Sequence, residues 1–236
     1  MREFVTDVIN DVIELIESKK RILICSEPNI ATYITLKALK EKPDVDSKAI
    51  IFKFSGWTKP KALENIIMLC NRFKVDYYIF EAEDIVALIL HRLKPYVKSG
   101  TMLLNACRYA VRSLILMEFA LIDDRVPIIA KSLTDLVVNP EPRFDSLSYP
   151  LVRYTDTFLA SQLDDENVVR DLSKKACELG EFEYLEVDRR LNNLKSRILA
   201  CKHGELFVQP KNLDELLDRN ICVLKHLGWN LWKYTQ

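Results

Sequence analysis

The turn Ser26-Glu27-Pro28-Asn29 is the first place in this sequence where chemistry could reside. It follows the apolar run Arg21-Ile22-Leu23-Ile24-Cys25, which has the length and β-branched character of a buried strand. It precedes Ile30, Ile34 and Ala38, which recur at helical spacing. In an open α/β sheet, ligands sit beyond the carboxyl end of such a strand. Ser26 suits a helix cap, Glu27 the positive end of the helix dipole, and Pro28 the first turn. The turn has no glycine, so its backbone is not expected to wrap a phosphate closely. Its single carboxylate falls short of a two-metal site.

A second acidic group, Glu81, Glu83 and Asp84, closes the strand-like stretch 75–80. It reads either as cation ligands or as a solvated strand end and helix start. His91 reads as a surface or packing histidine. Cys201-Lys202-His203 offers two ligand types with no second pair nearby, so zinc is not expected. Lys19-Lys20-Arg21 and Lys59-Pro60-Lys61 are tight basic groups that read as solvated charge, with weak contact to single-stranded DNA as the alternative.

The elements that must position these residues follow from hydrophobic periodicity. Residues 1–18 read as an amphipathic helix through Val5, Val8, Ile9, Val12, Ile13 and Ile16. Strands are expected over 21–25, 48–54 and 75–80, with helices over 30–39 and from Pro60 to Phe73. This alternation predicts an α/β fold with an open parallel sheet flanked by helices. Beyond it come a helix over 85–96, a break at Gly100, and a short strand over 101–104. A helix over 109–121 follows, then strands over 126–130 and 135–138. Helices are expected over 154–163, 167–179, 187–201 and 213–227, with a strand over 205–208. The division expected is an α/β domain over residues 1–165 and a mainly helical extension over 166–236.

Equal numbers of basic and acidic residues, 34 each, leave no net field to draw the chain to nucleic acid. The balance of 49% hydrophobic and 29% charged residues is that of a globular protein. The start carries acids among its apolar residues and does not read as a signal peptide. No stretch approaches the roughly 20 apolar residues that span a bilayer. Six scattered cysteines without a CxxC pair read as buried thiols of a reducing cytoplasm.

The order of these pieces resembles the DHH phosphoesterase superfamily of RecJ-like nucleases. Those proteins open with an amphipathic helix, a strand like Arg21-Ile22-Leu23-Ile24-Cys25, and an Asp-x-Asp-Gly-Ile-Thr-Ser turn. Here Ile30-Ala31-Thr32 stands for Ile-Thr-Ser, the two metal-binding aspartates fall at Ser26 and Pro28, and the glycine falls at Asn29. The next ligand position falls at Ala82, with Glu81 or Glu83 able to shift into it, and Lys131-Ser132 stands where Asp-His-His is expected. The segment Asp135-Leu136-Val137-Val138-Asn139-Pro140, with Ser148-Tyr149-Pro150-Leu151 after it, resembles the family's Asp-Ala-Ile-Val-Asn-Pro and Tyr-Pro pieces. The glycine-rich substrate domain has no counterpart.

What this resemblance implies is a non-catalytic scaffold without metal, cofactor or catalytic residue, similar to the short archaeal counterparts of cell-division-control protein 45. The implied partners are the GINS complex and, through it, the MCM helicase, in a cytoplasmic, nucleoid-associated setting. The aromatic tail, with Trp229, Leu231 and Trp232, either packs on the domain or offers a partner surface. Two other readings compete. One is an active metal-dependent phosphoesterase using Glu27, Glu81, Glu83, Asp84 and an acid from Asp123-Asp124. The other is a decayed PP-loop nucleotide-binding protein, since a strand, Ser26 and a helix also begin that fold. Its Ser-Gly-Gly-x-Asp-Ser loop, whose amides cradle pyrophosphate, is missing.

Overall fold

The computed structural model describes residues 2–55, 58–96, 101–138, 147–163, 189 and 213–226. Strands β1 (Arg21–Cys25), β2 (Asp46–Lys53), β3 (Asp76–Glu81) and β4 (Val126–Ile129) form one sheet. Its order is β3-β2-β1-β4 and every pairing is parallel. The helices are α1 (Arg2–Glu17), α2 (Ile30–Lys40), α3 (Pro60–Phe73), α4 (Glu83–Leu93), α5 (Thr101–Ile122), α6 (Leu133–Val138), α7 (Asp156–Ser161) and α8 (Leu213–His226). This is the α/β architecture with an open parallel sheet that the alternating pattern predicts.

Side chains alternate across the sheet, so each strand feeds two cores. Ile22, Ile24, Ala49 and Ile51 pack with α1, α2, α3 and α7 on one face. Leu23, Cys25, Ile50 and Phe52 pack with α4 and α5 on the other. β1 is central, and Ile22, Leu23, Ile24 and Cys25 are each at most 1% exposed. Burying an aliphatic side chain to that degree contributes about 1.5–3 kcal/mol each, so this strand anchors both layers.

A charge network fastens the amino ends of the strands. The buried Arg125 guanidinium donates to the carbonyl oxygens of Ile22 (3.3 Å) and Asp46 (2.8 Å). It also donates to the carboxylates of Asp46 (2.8 Å) and Asp123 (2.6 Å). Arg21 and Lys48 add bonds to Asp123 at 3.2 and 3.0 Å. One arginine thus ties the starts of β1 and β2 to the turn that enters β4. Hydrogen bonds from Arg125 and Lys48 hold the Asp123 carboxyl down at about 2.

Several expectations are corrected. The stretch 135–138 is helix α6, because Ser132 and Asp135 form a reciprocal capping box. The Asp135 amide donates to Ser132 Oγ (3.0 Å), and the Ser132 amide donates to Asp135 Oδ2 (3.1 Å). Residues 101–104 are the first turn of α5 rather than a strand. Helix α2 starts at Ile30 with Asn29 as its cap, so Ser26 and Pro28 lie before it. Cys25, Cys70 and Cys107 are buried and outside any disulfide, whereas Cys222 is disulfide-bonded.

Among the described residues no helix is long and apolar enough to cross a membrane. The elements expected over 167–179, 187–201 and 205–208, the domain boundary at 165, Cys201 and His203, and the tail with Trp229, Leu231 and Trp232 lie outside the described residues.

Because the Asp123 carboxyl is held at about 2 against an ordinary value of 3.8, its bonds stabilise the fold above the ordinary value and are lost as pH falls towards 2. Urea midpoints measured from pH 7 downward should show Asp123→Asn less stable than wild type at neutral pH. The gap should close as pH approaches 2. A gap that stays constant with pH contradicts this assignment.

Candidate functional site

From β1 the chain moves outward through β2 to β3, then returns so that β4 lies on the other side of β1. The order therefore reverses between β1 and β4, and in open α/β sheets the crevice at the carboxyl ends of two such strands is where ligands bind. The turn after β1 supplies Ser26 to Asn29, and the chain after β4 supplies Ala130 to Ser132.

Three charges converge there. Glu27 pairs with Arg112 from α5 and, at 2.6 Å, with Lys131 after β4. The cationic side chains are 2% and 3% exposed, the carboxylate 22%. The guanidinium of Arg112 also lies over the ring of Tyr109, 4.9 Å from its centre. Burial of this kind is strongly unfavourable for an uncompensated charge, and Glu27 supplies compensation to both cations. One turn away on the same face of α5, Arg108 donates to both oxygens of Glu83, at 2.9 and 3.4 Å. The spacing of four residues lets one helix meet the carboxylates that follow both β1 and β3.

Asn29 spans the crevice. Its oxygen accepts from the Thr32 amide (2.7 Å), capping α2, while its side-chain NH2 donates to the Ala130 carbonyl beyond β4 (3.2 Å). The Thr32 hydroxyl accepts from the Glu27 amide (3.2 Å). Ser26 is buried, and its amide donates to the Ile50 carbonyl, extending the β1–β2 ladder. Pro28 is half-buried in the bend before the cap. Ala82 is buried, and its amide donates to the Lys53 carbonyl at the end of β2.

The acidic residues that could have formed a metal site are separated and otherwise engaged. Glu27 and Glu83 face arginines, Glu81 pairs with Lys53 at 2.5 Å, and Asp84 is exposed. Asp123 belongs to the network at the opposite, amino end of the sheet. Among the described residues no three His, Cys, Asp or Glu side chains come together as a metal site. His91 is exposed on α4. Burial pushes the Cys70 thiol up to about 11, which leaves it protonated and inert as a nucleophile. Arg112 and Lys131 were missed from the sequence. The signal was present only as arginines four apart on an apolar helix and a lysine directly after a strand.

No protein-family model matches the chain, and no curated protein matches it. Its shape, however, matches solved structures over nearly its whole length. NMN synthetase from Francisella tularensis superposes with a TM-score of 0.68 at 12% identity, covering 96% of this chain and 95% of that one. The NH3-dependent NAD synthetase from Campylobacter jejuni gives 0.67 at 14% identity, with 96% of each chain covered. NAD+ synthetase from Burkholderia pseudomallei gives 0.58 at 12%, covering 95% and 88%. At such identities the likeness concerns the fold alone: the chain shares the α/β fold of these synthetases.

This finding overturns the resemblance to DHH and RecJ-like proteins. The best-matching letters of that resemblance, from Asp135 to Val138, lie inside a capped helix and not at a strand end. The replication setting, the GINS and MCM partners and the nucleoid association had no other basis and are not carried forward. The reading as a non-catalytic chain is withdrawn as well. It rested on lost cation ligands of a phosphoesterase, whereas the solved structures reported above that share the fold are named as synthetases.

Removing one member of a buried charge cluster is costly, while exposed pairs contribute little. Arg112→Met should lower unfolding free energy in urea by about 3–5 kcal/mol. Lys53→Met, which breaks the exposed pair with Glu81, should change it by less than about 1 kcal/mol. Equal effects would mean that the cluster at Glu27 is solvated.

Proposed function

We propose that this chain is an ATP-utilising protein that binds the nucleotide at the carboxyl ends of β1 and β4, with Arg112 and Lys131 set against its phosphates. The observation that carries this reading is the pair of buried cations at the reversal point of a sheet with the shape of NAD and NMN synthetases. The names of those neighbours describe makers of a dinucleotide and a mononucleotide, and a nucleotide is the ligand class assigned here.

The residues present suit phosphate through side chains rather than through a backbone cradle. Of the Ser-Gly-Gly-x-Asp-Ser loop the turn retains only a serine, Ser26. Without glycine, its amides are less able to close on a phosphate. Arginine and lysine compensate, because a guanidinium forks onto oxyanions and an ammonium supplies a compact charge. Both sit where little water screens them, which strengthens their pull on an anion.

Calorimetric titration of the full chain with ATP tests this. Saturable binding is expected, weakened by about ten- to hundredfold in Lys131→Met, the loss expected for a charge-assisted hydrogen bond. A folded protein that takes up no ATP, or one that binds it equally well without Lys131, overturns the assignment.

A further inference from the structure

We infer that Asn29 is a positioning residue for the phosphate site: its side chain holds the stretch of chain that carries Lys131, and so sets how strongly a nucleotide is bound. This inference rests on the nucleotide reading of the same strand ends and adds the residue that fixes their spacing.

A closed ring of contacts passes through Asn29. The Glu27 amide donates to the Thr32 hydroxyl (3.2 Å), and the Thr32 amide donates to Asn29 Oδ1 (2.7 Å). Asn29 Nδ2 then donates to the carbonyl of Ala130 (3.2 Å), 101 positions away in sequence. Ala130 directly precedes Lys131, whose ammonium returns to the Glu27 carboxylate at 2.6 Å. The ring starts and ends on one glutamate, and the bond from Asn29 to Ala130 is where it crosses from the turn after β1 to the backbone after β4. The backbone of Asn29 is itself held from both sides. Its amide donates to the Glu27 carbonyl (2.8 Å), and its carbonyl accepts from the Tyr33 amide (3.2 Å).

The residue type is what the two side-chain bonds require. Serine, aspartate and asparagine cap helices about equally well, so the cap on α2 does not by itself call for asparagine. The bridge does. One side chain has to offer an acceptor to an amide and a donor to a carbonyl, and the carboxamide places these on separate atoms. An ionised aspartate only accepts, and serine carries its oxygen one bond nearer the backbone. Asn29 is buried, so water competes little for either bond. A site whose cation is held in place before the ligand arrives loses less freedom on binding. Asn29 thus contributes to affinity without touching the ligand, through the placement of Lys131.

The test measures ATP binding by calorimetry on the full chain as wild type, Asn29→Ser, Lys131→Met and the double variant. Serine keeps the cap and removes the bridge without changing charge. Asn29→Ser should weaken ATP binding by about tenfold. In the Lys131→Met background the same substitution should change binding by less than about twofold, because the group it positions is gone. An equal loss in both backgrounds means a structural role alone and overturns the inference, as does an Asn29→Ser protein that binds ATP like wild type. Amide hydrogen exchange reads the bridge without nucleotide. The Lys131 and Ser132 amides should exchange about tenfold faster in Asn29→Ser than in wild type, while those of β2 keep their rates. Unchanged exchange at these two amides also overturns the inference. If Asn29→Ser does not fold, Asn29→Gly carries the same expectations, since glycine is tolerated as a cap. The two readings separate. ATP bound alike by wild type and Asn29→Ser sinks the positioning role and leaves the nucleotide reading standing. Folded wild type that takes up no ATP sinks the nucleotide reading, and this inference with it.

Discussion

A guanidinium and an ammonium lie almost wholly out of water at the carboxyl end of this sheet, and Glu27 lies against both. Charges so placed demand a counter-charge, and this demand organises the elements around it. The turn after β1 must present Glu27, helix α5 must reach far enough to bring Arg112 over it, and the chain leaving β4 must turn so that Lys131 points inward. Arg108 repeats the device one turn earlier against Glu83. Helix α5 therefore packs on the sheet through its apolar face and is also held at two strand ends by ion pairs. At the amino end Arg125 performs the corresponding task for β1, β2 and β4. The sheet is thus closed by charge at both ends and by hydrocarbon between them.

The framework was legible because its signals are periodic and local. The runs at 21–25, 48–54 and 75–80 are β-branched and short, and the helical spacing of the segments between them leaves little choice of topology. The element at 135–138 was misread because a buried six-residue helix and a buried strand present the same apolar run. The Ser132 and Asp135 pair, three residues apart, was the distinguishing sign. The cap at Asn29 was legible in the same manner and was overlooked in favour of Ser26. Local order of pieces could not say where β4 would insert, and this decides where the crevice lies. For the same reason a match of letters to the DHH proteins arose without a match of fold. Helix, strand, turn and helix open many α/β chains, and strand order is set by contacts far apart in sequence.

The site was harder still to read. Arg112 and Glu27 are separated by most of the domain in sequence, and each is an ordinary residue for its element. Neither spacing nor residue type announces that they meet. What the sequence did show was a deficiency, the absence of glycine and of further acids in the turn, and it was read as loss of function. The structure replaces that reading: Glu27, the one acid in the turn, lies against two buried cations.

There is a physical reason why these features go together. A glycine loop presents neutral backbone dipoles, which water can satisfy when no phosphate is bound. It needs no counter-ion in the empty state. A crevice that relies on buried Arg112 and Lys131 is different, because their charges persist whether or not a ligand is present, and burial makes them intolerable alone. Buried cations of this kind need anionic company from the chain itself, and Glu27 lies against both. Glu27 sits on the turn after β1 rather than within a strand or helix, and is less buried than either cation. In the glycine-free turn after β1, side-chain charge stands where a glycine-rich loop presents backbone amides.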